Sequence, residues 1–328
     1  MRVGVFGAGS IGCMVGGRLA ANGVDVVFYG RKRLADEVAT HGMTLTRGSE
    51  PAIHTPAQYV TDLSALRDRD IVLVTVKSRD TSSAGAQLRE VLAENARAVS
   101  LQNGVTNADA LRGEIDHKVL AGMVPFNVLS RGDGRFHQGT SGTLVVERGG
   151  EDLTAALVAG GIPAKTHGDV PGILYGKLLI NLNNALNGLS GLPLKEQLSD
   201  RRYRLLMADL IDEGRAVLRA AGIRPRGVGI LQPWLVPAAL RLPDWLFKRA
   251  ARSMVDIDPQ ARSSLWEDLN RGRPTEVGDL NGEIVRIAER AGTDAPLNAA
   301  IVRLVQEAEG TSAGSPGLDP QTLRGLLH

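Results

Sequence analysis

Val3-Gly4-Val5-Phe6-Gly7-Ala8-Gly9-Ser10-Ile11-Gly12 decides how this chain is read. A short apolar run enters a glycine loop, and the residues after it, Ile11 to Ala21, have the spacing of an amphipathic helix. A GxGxxG string is weak by itself. Between a strand and a helix it has the setting that dinucleotide binding requires. Gly7 permits the tight turn, Gly9 lets the main chain approach a pyrophosphate, and Gly12 lets helix and strand pack closely. Ala8, Ser10 and Ile11 complete the loop, and the helix N-terminus faces the phosphate charge. The bland alternative is an ordinary glycine-rich turn, and the context favours the dinucleotide site.

Outward from that loop, apolar runs alternate with helical patterns. Val24 to Tyr29, Ile71 to Val76 and Ala98 to Leu101 are short, β-branched and bounded by turn residues, as buried parallel strands are. Ser82 to Glu94 has helical spacing. Gly142 to Val146 and Ile162 to Lys165 read as two late strands. Strand–helix alternation predicts an α/β fold with a Rossmann-type doubly wound sheet. After about residue 170 helical patterns take over: Leu174 to Leu186, Tyr203 to Ala221, Pro259 to Asn270 and, as the last helix, Glu276 to Ala291. The expectation is therefore a nucleotide-binding domain over residues 1–169 and an all-helical domain over 170–328. The Gly- and Ser-rich tail, Gly310 to Gly317, reads as loose.

A chain of 328 residues exceeds what one core usually supports, which fits two domains. A net charge of +2 without a basic run argues against nucleic acid as the main partner. The single cysteine, Cys13, excludes an intrachain disulfide and a cysteine-built zinc site, and no histidine spacing suggests another metal site. No stretch is long and apolar enough to span a bilayer. The strand beginning at residue 3 leaves no room for a leader, so a cytoplasmic protein is expected.

The strand ends refine the ligand. An NAD site would place a carboxylate after the second strand to bind the ribose 2′-hydroxyl. Here that strand runs into Gly30-Arg31-Lys32-Arg33, three cations suited to a 2′-phosphate, which favours NADPH over a merely solvated basic turn. Lys77 and Asn103 stand at the carboxyl ends of two further strands, the edge where open α/β sheets bind ligands. Each also has a plain reading, as a solvated terminus and as an Asn-Gly turn.

In the helical half, Lys177, Asn181 and Asn184 recur at i, i+4 and i+7, which places them on one face of an otherwise apolar helix. Such a stripe needs partners, either a bound substrate or a polar network. Glu276, in Gly272-Arg273-Pro274-Thr275-Glu276, has a structural reading as a carboxylate complementing a helix N-terminus.

Taken together and in order, GAGSIG, VKS, LQNG, GKLLIN and SSLWEDLNRGRPTEVGDLNG resemble the ketopantoate reductases, over nearly the whole chain. The resemblance implies NADPH-dependent reduction of 2-dehydropantoate, or of a related 2-oxo acid, to the hydroxy acid. It implies that Gly7, Gly9 and Gly12 hold the pyrophosphate, that Arg31 holds the 2′-phosphate, and that Lys77 and Asn103 lie near the nicotinamide. Lys177 aligns with the catalytic lysine, Asn181 and Ser264 with substrate-binding residues, and Glu276 with the glutamate of a Thr-Glu pair. Lys177 would then be the general acid, with Asn184 a neighbouring substrate contact. Two departures stand out. Ala185 occupies a position where the family's helix carries asparagine, and the Trp- and Pro-containing segment from Arg224 to Pro259 is long, suited to a lid or a homodimer surface. The alternatives are a dehydrogenase of this fold acting on a bulkier keto substrate, and an NADP(H) sensor without turnover.

Overall fold

The computed structural model describes residues 1–227, 232–250 and 261–327. The chain divides into two compact units, Met1–Pro171 and Gly172–His328.

The first unit contains β1 (Arg2–Phe6), β2 (Asp25–Tyr29), β3 (Met43–Arg47), β4 (Ile53–Thr55), β5 (Gln58–Val60), β6 (Ile71–Val74), β7 (Arg97–Ser100), β8 (Lys118–Met123), β9 (Val128–Ser130), β10 (Arg135–Gln138), β11 (Leu144–Glu147) and β12 (Ala164–His167). Eight of these form one sheet in the order β12-β11-β8-β7-β6-β1-β2-β5. Pairing is parallel from β5 to β8; β11 then joins β8 antiparallel and pairs parallel with β12. The chain leaves β1 for β2 on one side and returns to β6 on the other, so β1 sits at the topological switch point where doubly wound sheets bind ligands. The strands β1, β6 and β7 are buried over nearly their whole length, and α1 (Ser10–Ala21) lays Cys13, Met14 and Leu19 into the same core.

A second, four-stranded sheet, β4-β3-β10-β9, was not anticipated by the sequence patterns. Its strands are short, and its central pairing joins Leu45 to Phe136, far apart in the chain. The helices of this unit are α1, α2 (Lys32–His41), α3 (Thr81–Arg89), α4 (Asn107–Glu114) and α5 (Glu151–Ala159).

From α6 (Val170–Asn181) onward the described residues contain no strand: α7 (Asn183–Ser190), α8 (Leu194–Ser199), α9 (Arg201–Ala220), α10 (Val236–Leu240), α11 (Asp244–Ala250), α12 (Ser264–Asn270), α13 (Asn281–Ala291), α14 (Pro296–Thr311) and α15 (Pro320–Leu327) follow. The protein is thus α/β in its first half and helical in its second. In α9, Leu206, Leu210, Ile211, Gly214, Val217 and Leu218 recur at helical spacing and are buried. At Gly214 an added Cβ would meet Leu179 at 2.9 Å and Leu182 at 3.2 Å, so the back of α6 lies directly on α9.

Three expectations need correction. The helix ending at Ala291 is not the last. In α14, Pro296 takes a first-turn position and Ile301, Leu304, Val305 and Ala308 turn inward, and α15 comes after it. The tail is also not loose: Ser315 Oγ donates to Gly188 O at 2.6 Å and Leu318 N to Leu189 O at 2.9 Å, tying it to α7. Finally, the helix expected from Pro259 begins at Ser264, where Ser263 caps it; residues 251–260 lie outside the described ones.

The long segment after α9 is described over 224–227 and 232–250. Its helices α10 and α11 are clasped by Arg204, fully buried on α9. The guanidinium donates to the carbonyls of Leu198, Ser199, Leu240 and Leu242 and to Asp244, and lies 4.2 Å from the Phe247 ring centroid. No helix among the described residues is long and apolar enough to cross a membrane.

Candidate functional site

The glycine loop is shaped by three different constraints. Gly7 turns with φ +77°, and a Cβ there would run into Val76. At Gly12 a Cβ would meet Thr75 Oγ1 at 2.5 Å and Val5 Cγ1 at 2.7 Å, because the helix here presses on the sheet. Gly9 differs: its Cβ would have only Gly7 O nearby, at 3.8 Å, so the space beside it is open. Gly9 also begins α1, and no side chain caps that helix N-terminus. Open space beside a main chain that presents Ser10, Ile11 and Gly12 at an uncapped helix start fits a pyrophosphate. Ala8 is held from behind by Tyr59, whose hydroxyl donates to Ala8 O at 2.6 Å. That support comes from β5, beyond the reach of any local pattern.

At the end of β2 the three cations separate. Lys32 pairs with Asp36 at 2.7 Å and Arg33 with Glu37 at 3.2 Å, each one turn along α2. Arg31 is exposed and has no ion-pair partner among the described residues. Of the three, Arg31 is the one left to meet an anion.

Lys77 follows β6 and Asn103 follows β7, both half-buried. A chain of hydrogen bonds fastens their loops together. Ser78 Oγ donates to Asn103 O at 2.9 Å, Asn107 Nδ2 to Ser78 Oγ at 3.1 Å, Thr81 Oγ1 to Asn107 Oδ1 at 2.8 Å, and Gln102 Nε2 to Thr81 Oγ1 at 2.7 Å. The first unit therefore gathers Gly7 to Gly12, Arg31, Lys77 and Asn103 at the carboxyl ends of adjacent strands.

In the second unit, Lys177 and Asn181 lie on α6 and Asn184 on α7. Leu182 between the helices keeps right-handed helical angles, so the run is nearly continuous. All three are half-buried while Leu178, Leu179, Leu182, Ala185 and Leu186 are buried behind them. The amides of Asn181 and Asn184 have no hydrogen-bond partner among the described residues. Ala185 is fully buried, so the polar amide at this level of the helix is that of Asn184.

Burial lowers the Lys177 pKa to about 8, and the Glu276 carboxylate works against that fall. Glu276 is 9% exposed and precedes a 3-10 turn, Val277–Asp279, ahead of α13. Its carboxylate therefore acts on Lys177 rather than opening a long helix. Ser264 opens α12, exposed, its hydroxyl without a partner among the described residues. Among those residues no group of three or more His, Cys, Asp or Glu is placed to hold a metal ion.

Residues 3–151 match the family described as ketopantoate reductase PanE/ApbA, and residues 169–309 match its C-terminal counterpart. A 2-dehydropantoate 2-reductase of Archaeoglobus fulgidus is 27% identical over 318 residues, spanning 94% of this chain and 98% of its own length. The crystal structure of a PanE/ApbA family ketopantoate reductase from Ralstonia eutropha JMP134 is 33% identical with a TM-score of 0.82, covering 95% of this chain and 99% of that one. D-mandelate dehydrogenase, solved with NADH and anilino(oxo)acetate, shares the fold at a TM-score of 0.80 and 18% identity, over 95% of this chain and 99% of its own.

Proposed function

The chain belongs to the ketopantoate reductase family, and from that membership we propose that it reduces 2-dehydropantoate, or a 2-oxo acid of closely related shape, to the hydroxy acid. The dinucleotide we assign is NADPH, held by the Gly7 to Gly12 loop with Arg31 on its 2′-phosphate and Lys77 and Asn103 toward the nicotinamide; when bound it supplies the hydride. What the chain itself adds is charge and geometry.

As the substrate's carbonyl carbon is reduced, negative charge builds on its oxygen. The Lys177 ammonium stabilises that charge, donates its proton to the oxygen, and is left as a neutral amine. A lysine with a pKa near 8 is mostly protonated at neutral pH and gives up its proton more readily than an ordinary one. Glu276 keeps it from losing the proton prematurely. Asn181 and Asn184 offer amides that position the substrate without adding charge, and Ser264 offers a hydroxyl.

The observation that carries this reading is the pair of partnerless amides on the helix stretch that holds Lys177. The test is NADPH oxidation followed at its near-ultraviolet absorbance, with 2-dehydropantoate and a panel of bulkier 2-oxo acids, and with NADH in parallel. Turnover of 2-dehydropantoate with a preference for NADPH is the expected result. Turnover only of bulkier acids would move the substrate assignment. Silence on the whole panel, with NADPH still bound, would overturn it in favour of a sensor.

A further inference from the structure

Asn187 lies on α7, ten residues beyond Lys177, and is fully buried. An amide side chain buried among leucines is costly unless both its N–H groups and its oxygen are paired. Here they are. Asn187 Nδ2 donates to Leu192 O and to Gln197 Oε1, each at 2.9 Å, and Asn187 Oδ1 accepts from the main-chain N–H of Ser263 at 2.9 Å. Gln197, itself fully buried, donates in turn to Asn183 Oδ1 at 3.1 Å.

The third of those bonds reaches furthest. Ser263 is the cap of α12: its hydroxyl accepts from Trp266 N at 3.1 Å and donates to Asn184 O at 2.9 Å. The start of α12 is thus bound to α7 twice, once through the Asn187 side chain and once through the Asn184 main chain. Sterics agree. At Gly188 an added Cβ would collide with Leu265, so the two helices already stand as close as glycine allows. The residue directly after this double attachment is Ser264. A buried polar network that is fully satisfied fixes one geometry where an apolar contact would permit several.

We infer that Asn187 is a positioning residue: its buried amide ties the main chain of Ser263 to the helix stretch carrying Lys177, Asn181 and Asn184, and thereby fixes where Ser264 meets the substrate. The inference rests on the reading of those residues as the substrate side of the enzyme. It predicts a kinetic signature that lost stability would not produce. A contact made equally to substrate and transition state affects KM and leaves kcat alone, whereas a partly unfolded enzyme loses apparent kcat and keeps its KM.

The experiment is steady-state kinetics on the full-length protein with saturating NADPH, comparing Asn187→Leu, Ser264→Ala and the double variant. Asn187→Leu and Ser264→Ala each raise the KM for the keto acid roughly tenfold, as loss of one hydrogen bond to a charged substrate would. kcat and the KM for NADPH stay within about twofold, and the double variant is no worse than either single one, because both remove the same contact. If Asn187→Leu does not fold, Gly188→Ala replaces it, since its methyl presses on Leu265 and draws Ser263 N–H away from Asn187 Oδ1 while the Asn187 side chain stays in place, and the same KM-only signature is expected. An unchanged keto-acid KM, or single effects that add in full, overturns the inference while the functional reading stands. A wild-type protein inert toward every 2-oxo acid overturns the functional reading and this inference with it.

Discussion

Lys177 is held between two opposing influences, and Glu276 is one of them. Withdrawal from water pulls the ammonium down to about 8, and the Glu276 carboxylate pulls it back up. The two residues are 99 positions apart in sequence, one on α6 and the other just ahead of α13. The proton on Lys177 is therefore set by how the helical unit folds.

The first consequence is a pH profile. In the proposed mechanism reduction requires the ammonium, so kcat/KM for reduction should be level below about pH 8 and fall tenfold per unit above it. Oxidation of the hydroxy acid requires the amine and should rise through the same point. The effect on folding has its own sign. The folded pKa lies below the ordinary 10.5, so the charged lysine costs stability at low pH, and that cost is relieved as pH rises from about 8 toward 10.5. A reduction profile that stays level to pH 10 would remove Lys177 from the role of acid.

Glu276→Gln removes the influence that raises the Lys177 pKa and leaves the burial that lowers it. The alkaline limb of the reduction profile should move to lower pH, and activity at pH 8 should drop more than activity at pH 6. Parallel loss at every pH would show that Glu276 acts on something other than the lysine.

Arg31 is the residue we propose for the choice of dinucleotide, since Lys32 and Arg33 are engaged within α2. A hydrogen bond to a charged group contributes about 1.5–3 kcal/mol, so Arg31→Ala should weaken NADPH roughly 10- to 100-fold. NADH should bind as before. Dissociation constants from fluorescence titration check this, and equal losses for both dinucleotides would place the 2′-phosphate elsewhere.

Gly9 and Gly12 should fail in opposite ways. Gly12→Ala forces a methyl against Thr75 and Val5 and should cost about 1–3 kcal/mol of stability, read as a lower melting temperature. Gly9→Ala meets open space, so its melting temperature should barely move while dinucleotide affinity falls at least roughly tenfold, because the methyl occupies the approach of the pyrophosphate. Unimpaired binding by Gly9→Ala would exclude this loop as the phosphate site.

Arg204→Met should be among the most destabilising single changes in the helical unit. It leaves the carbonyls of Leu198, Ser199, Leu240 and Leu242 without their donor and Asp244 without its partner. Asp244 stays solvated, so the cost falls on the carbonyls, about 1–3 kcal/mol for each one left buried without a donor. Denaturant titration measures it, and a loss below about 1 kcal/mol would show that α10 and α11 stand without the clasp.

Placements that follow from local spacing were legible in the sequence: the glycine loop between strand and helix, Arg31, Lys77 and Asn103 at strand ends, and Lys177, Asn181 and Asn184 on one helix stretch. Residues that act through contacts across the chain were not. Nothing near Tyr59 signals that it supports Ala8. Nothing near Asn187 signals a bond to Ser263, 76 residues away. The β3–β10 pairing was invisible for the same reason, and the tail misled because Gly and Ser residues suggest looseness even where Ser315 and Leu318 are bound to α7. Local pattern reveals which side chains are presented, while the partners that hold them are settled by tertiary packing.

The helix run from Gly176 to Ser190 has one more consequence. Its fifteen positions are buried except Lys177, Ile180, Asn181 and Asn184, and at Gly176 and Gly188 any side chain would strike Arg226 or Leu265. Lineages descended from this protein can alter that helix without damaging it at very few places, and one of those is the proposed acid. On the proposed reading, whatever this helix contributes to drift toward a new substrate passes through Ile180, Asn181 and Asn184, a bottleneck that should show in any collection of its diverged descendants.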